Sequence, residues 1–183
     1  MTTTQPTAAD LTTQTSPPAS ATAASYKPVA SGTGNPGEAV AAGVERVLGL
    51  ARTWLAWDGR PRQSDDGDRI YTPHKAIRRY THHLIDHLAE IEALLGGHPT
   101  RPDAWRASLV TVDADWARFT EADRDEAQQC LLRLADLYVH RLSGAGPAEW
   151  DRPRSPHWTL REIAEHVASP WYAEQVGELR APS

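Results

Sequence analysis

The run Tyr80-Thr81-His82-His83-Leu84-Ile85-Asp86-His87-Leu88 carries two histidines, His83 and His87, spaced four apart. On a helix that spacing sets both imidazoles on one face, about one turn apart. The run belongs to a longer pattern in which Ile77, Tyr80, Leu84, His87, Leu88, Ile91 and Leu94 recur at helical spacing. Thr72 suits the cap of that helix, Pro73 its first position, and Gly96-Gly97 its end. His87 falls within the apolar stripe and His83 close beside it, so the pair faces a helical interior more than solvent. Burying two histidines is costly unless their ring nitrogens find partners.

Three further helices are expected around this one. The first runs from about Glu38 to Trp57, with Val40, Val44, Val47, Leu48, Ala51 and Leu55 as its stripe, and stops at Asp58-Gly59-Arg60-Pro61. Another runs from about Thr120 to Leu142, capped by Thr120 with Asp123, its stripe being Ala127, Leu131, Leu134, Tyr138 and Leu142. A short turn of helix fits between Asp113 and Phe119. The last begins at Thr159, with Glu162 completing a capping box, and Pro170 should kink or divide it. No segment alternates strictly, so no strand is expected. The connection from about His98 to Val112 has the length for a crossover along a bundle. The expected fold is all-α, a four-helix bundle.

His166 lies on the last helix, in Trp158-Thr159-Leu160-Arg161-Glu162-Ile163-Ala164-Glu165-His166-Val167. A helical His-x-x-x-His pair with one histidine from another helix is the minimum for a three-ligand metal site with open positions. The plain alternative is three buried histidines, each hydrogen-bonded within the protein.

Composition narrows the classes. The chain has 183 residues, enough for one ordinary domain. Residues 1–36 are Thr, Ala, Ser, Pro and Gly with hardly an aliphatic side chain, a composition that reads as a disordered tail ahead of a helical domain at 37–183. The tail lacks the basic start and apolar segment of a secretory signal. No apolar run approaches a membrane span. A net charge of −5, spread over helices of mixed sign, argues against nucleic acid as a partner. The single cysteine, Cys130, excludes a disulfide framework and fits a reducing cytoplasm. Its apolar neighbours suggest a small core residue rather than a nucleophile.

Two stretches carry a family resemblance. Tyr71-Thr72-Pro73-His74-Lys75-Ala76-Ile77-Arg78-Arg79, followed by His83-Leu84-Ile85-Asp86-His87, resembles the last-helix motif of DinB/YfiT-like bundles. Trp158 to Val167 resembles that family's second-helix motif, with Ala148-Glu149-Trp150 similar to the loop before it. The order is reversed here, as a circular permutation would produce. The resemblance implies a divalent metal (zinc, nickel or iron) on His83, His87 and His166. It also implies thiol-dependent transferase or isomerase chemistry on a small molecule, with a low-molecular-weight thiol such as mycothiol as co-substrate, and it admits a homodimer. Metal-dependent hydrolysis is the alternative, and a non-catalytic bundle that dimerises or binds a partner is a second one.

Other residues take expected roles from position. Glu90, three residues after His87, could be a further ligand, an acceptor behind a ligand or a base. Tyr80 could donate a proton or hydrogen bond at the metal, and Tyr172 could do so after the Pro170 kink; core packing is the default for both. Arg78, Arg79 and Arg161 lie one or two turns before the ligands, where an arginine could hold a carboxylate or phosphate. Arg79, Arg161 and Tyr172 are therefore the candidate substrate-binding residues, with Glu90 and Tyr80 the candidate catalytic ones. Asp86 and Glu165 point elsewhere, while His82 and His74 read as surface residues. Trp158 reads as an anchor at a helix start.

Overall fold

A computed structural model describes residues 33–101 and 109–180. The expected tail falls outside them except for Thr33 to Pro36, as does part of the connection between His98 and Val112. The described chain is mainly helical: α1 (Gly37–Ala51), α2 (Pro73–Gly96), α3 (Glu121–Ala145), α4 (Pro147–Trp150), α5 (Leu160–Val167) and α6 (Trp171–Glu174). Two-residue strands, β1 (Arg62–Gln63) and β2 (Ile70–Tyr71), pair antiparallel between α1 and α2, with Arg62 opposite Tyr71. No strand was expected there, because a pairing this short is too brief for alternation to register.

The helices begin where local chemistry says they should. Thr72, extended, accepts a hydrogen bond from the Lys75 amide, and Pro73 follows it. Thr120 with Asp123, and Thr159 with Glu162, form reciprocal capping boxes at α3 and α5. Gly97 closes α2 in the left-handed conformation, φ 67°, that glycine adopts without strain.

Helix α1 packs on α3 and α5, and α2 packs on α3, α5 and α6. Val40, Val44, Val47, Leu84, Ile91, Leu131, Tyr138, Leu142, Leu160 and Ile163 meet in one apolar core. Two glycines of α1 make this closeness feasible. A Cβ on Gly37 would sit 2.7 Å from the Val139 Cα of α3, and one on Gly43 would sit 2.1 Å from the Ala168 carbonyl oxygen at the end of α5.

Two local expectations need correction. Helix α1 ends at Ala51 instead of Trp57, and a 3-10 turn covers Trp54–Ala56. Trp54 turns inward to donate from Nε1 to the Gly177 carbonyl at 2.9 Å, while Leu179 donates its amide to Thr53 Oγ1 at 3.0 Å. The returning chain end thus fixes the turn. Cys130 is exposed, not a core residue, because its bearing on α3 is about 100° from that of buried Leu131. Pro170 divides the last helical segment into α5 and α6, as expected.

The N-terminal turn of α2 is bolted to the short 3-10 turn Asp113–Trp116. Asp115, 1 % exposed, accepts from Arg78 Nε at 3.0 Å and Nη2 at 2.6 Å, and from the Val112 amide at 2.9 Å. Thr72 Oγ1 donates to the Asp115 carbonyl at 2.6 Å.

Candidate metal centre

Helix α2 presents His83 and His87 one turn apart, and α5 brings His166 to them. The ring centroids lie 4.7 Å apart for His83–His87, 4.9 Å for His83–His166 and 5.1 Å for His87–His166. One ring nitrogen from each lies within 4.8 Å of those of the other two. Such a group could hold a metal ion, since three imidazole nitrogens converging on one point are a typical donor set for zinc and neighbouring divalent metals.

His87 fixes the chemistry of the group. Its side chain is buried, and its Nδ1 lies 2.7 Å from Glu90 Oε2. A carboxylate can only accept, so Nδ1 carries the proton. In the neutral form of the ring the lone pair is then at Nε2, which is buried and has no hydrogen-bond partner among the described residues. His83 is held neutral: its pKa is pushed down to about 2 by burial first, then by the nearby His87, His166 and Arg79. Neutral imidazoles are the form a metal binds.

Aromatic side chains wall the group. Trp158, 46 % exposed, sets its ring 5.0 Å from His166, and Tyr172 sets its ring 5.6 Å from His83. Trp158 is therefore more than an anchor at a helix start. Its position just before the Thr159 cap was visible in the sequence, but its packing on a residue two turns along α5 was not.

The remaining candidates separate. Glu90 stands behind His87 as a hydrogen-bond acceptor. Tyr172 stands beside His83. Arg79, 4 % exposed, lies with its guanidinium 5.5 Å from the centre of the Tyr172 ring. Tyr80 is fully buried, and its hydroxyl points to α1, about where a Gly43 side chain would be. It packs in the core. Arg161 also departs from the expected role. It is held by Asp151, Nε to Oδ1 at 2.7 Å and Nη2 to Oδ2 at 3.2 Å, and donates from Nη1 to the Gly34 carbonyl at 3.3 Å. These bonds fasten the segment before α1 and the one after α4, leaving no fork free for a substrate. Arg78 is committed to Asp115 as described. His74 is partly buried, its ring 5.2 Å from that of Phe119, and His82 is partly buried as well. Both were expected at the surface.

No helix among the described residues is long and apolar enough to cross a membrane. The chain matches no protein-family model, and neither curated proteins nor solved structures yield a match.

Proposed function

We propose that this chain is a divalent-metal-dependent enzyme acting on a small molecule, built as a circularly permuted four-helix bundle of the DinB/YfiT-like kind. The observation that carries the reading is His87. Its Nδ1 is engaged by Glu90, and its buried Nε2 has no partner among the described residues and lies with two further imidazoles. A structural histidine would satisfy both nitrogens within the protein. A carboxylate behind a histidine whose other nitrogen is open is the arrangement that orients a metal ligand.

His83, His87 and His166 would hold the metal through one nitrogen each. A divalent metal in this place supplies Lewis acidity, lowering the pKa of a water or thiol brought to it. Glu90 keeps the His87 lone pair aimed at the group. Trp158 and Tyr172 flank the group, against His166 and His83 respectively. Thiol-dependent transfer or isomerisation, with a thiol of the mycothiol type, is the preferred chemistry. Hydrolysis would need a base for water, and Glu90, the nearest candidate on α2, is already bonded to His87. A thiol ionises nearer neutrality and asks less of a protein base.

The test is elemental analysis of tag-free protein purified without chelator, with His166→Ala beside it. About one divalent ion per chain, lost in the variant, is expected. No metal in the wild type after reconstitution would overturn the reading. Dependence of any measured activity on added thiol then separates transfer from hydrolysis.

A further inference from the structure

A second cluster of polar groups lies against the histidines and is joined to them by Tyr172. The β1–β2 hairpin delivers Arg69 and Tyr71, two residues apart on an extended segment and so turned to the same side. Both meet Trp171: the Arg69 guanidinium is 5.7 Å from the centre of its ring, and the Tyr71 ring is 5.7 Å from it edge-on. The Tyr71 ring is also 6.1 Å from that of Tyr172, which in turn touches both Arg79 and His83.

Two polar atoms in this cluster lack a well-formed hydrogen bond. Tyr71 is 0 % exposed, and its hydroxyl makes no well-formed hydrogen bond among the described residues, the Arg69 side chain lying close enough only to bias its ionisation; the buried Nε of Arg69 likewise makes no well-formed bond there. A buried hydroxyl left without a partner costs about 1–3 kcal/mol, so such a group is uncommon unless something else binds it. The charge around it is positive. Burial raises the Tyr71 pKa to about 12 and the Tyr172 hydroxyl adds to this, while the guanidinium groups of Arg69 and Arg79 act in the opposite direction. Lys75 Nζ lies 5.1 Å from the Tyr71 ring centre and donates to Thr111 Oγ1. Asp115 is taken by Arg78, and Asp66 pairs with Arg69 through Nη2 at 3.9 Å, leaving the Nε side of that guanidinium turned to the cluster.

We propose that Arg69, Tyr71, Arg79 and Tyr172 form a binding site for an oxyanion, a carboxylate or phosphate, and that the substrate of the neighbouring histidine centre carries such a group. The second half of that statement rests on the metalloenzyme reading; the first does not. Arginine forks match planar oxyanions, and a tyrosine hydroxyl completes the set as a neutral donor. Tyr172 stands between the two sites, so a small molecule held by its anionic end would present the rest of itself to the histidines.

The test is calorimetric titration of the full chain, metal-loaded and chelator-stripped, with succinate, with inorganic phosphate and with uncharged succinamide. Saturable binding of succinate or phosphate, weakened by added salt and absent for succinamide, is expected, and the tighter of the two identifies the oxyanion. Tyr71→Phe and Arg69→Gln should each weaken binding about tenfold or more, the worth of one hydrogen bond to a charged group. Circular dichroism and the melting temperature establish that both variants are folded. His166→Ala should lose the metal and keep the affinity of the stripped wild type. If the wild type takes no metal but binds the anion through Tyr71, the enzyme reading fails and the anion site stands. No binding of either anion, or equal affinity in wild type, Tyr71→Phe and Arg69→Gln, would overturn the proposal.

Discussion

His87 Nδ1 and Glu90 Oε2 lie 2.7 Å apart, one helical turn from each other on α2, and the other nitrogen of the same ring is buried without a partner among the described residues. The pair ties orientation to charge: Glu90 fixes which nitrogen is protonated and holds the ring in place. Glu90→Gln keeps the shape and an acceptor oxygen but removes the charge that makes the imidazole a better donor to a metal. Metal affinity should fall about ten- to a hundredfold, as read by competition with a chromophoric chelator. An affinity equal to wild type would mean that Glu90 does not serve the histidine centre.

Gly43 and Ala168 give a prediction that links packing to the site. A Cβ at position 43 would meet the Ala168 carbonyl oxygen at 2.1 Å, a contact no side-chain rotation can relieve. Gly43→Ala should destabilise the protein by about 1–3 kcal/mol in urea unfolding. It should also weaken metal binding, because Ala168 is two residues beyond His166. Gly49→Ala, on the same helix with nothing within 4 Å, is the control and should stabilise by up to about 1 kcal/mol. Equal effects of the two substitutions would contradict the close approach of α1 and α5.

The depressed pKa of His83 sets a pH window. In the unfolded chain the ring takes a proton near 6.5, whereas in the folded, metal-free protein it stays neutral down to about 2. The unfolded state therefore binds more protons between those limits. Stability is highest above pH 6.5 and falls as the pH drops below it, by at most about 1.4 kcal/mol per pH unit for one group. Denaturant midpoints of metal-free wild type and His83→Gln, taken from pH 7 to 4.5, should show a shallower fall in the variant. Parallel curves would contradict the assignment.

The Arg78–Asp115 pair is expected to matter for folding more than for chemistry. Asp115 is buried, and removing it leaves the Arg78 guanidinium and the Val112 amide without their acceptor. Asp115→Ala should cost roughly 2–4 kcal/mol, measured by thermal unfolding with a urea titration to confirm it. A loss below about 0.5 kcal/mol, within the usual scatter for surface sites, would mean that the bolt between the 3-10 turn and α2 is dispensable.

Much of this was legible in the chain itself. The limits of α2 and α5 follow from Thr72-Pro73, Gly96-Gly97 and the Thr159/Glu162 box, because caps and stops depend on neighbours a few residues away. The two histidines of α2 share a face by spacing alone. Errors gathered where distant segments decide. Trp54 leaves α1 to reach Gly177, and no local signal marks that. Arg161 occurs in a motif that resembles a binding element, yet Asp151 occupies it. Cys130 has apolar neighbours in sequence but an exposed bearing on its helix.

The sequence by itself determined the helices, their apolar faces and the His83/His87 pair, since each depends on periodicity and capping within one segment. Only the tertiary structure decided that His166 meets that pair from another helix, and that Glu90 takes one nitrogen of His87. It also decided that Tyr71 and Arg69 come up beside Tyr172. Those meetings depend on how α5, α6 and the hairpin pack against α2. The close approach at Gly43 and the capture of Trp54 by Gly177 govern that packing, and both join residues more than a hundred positions apart.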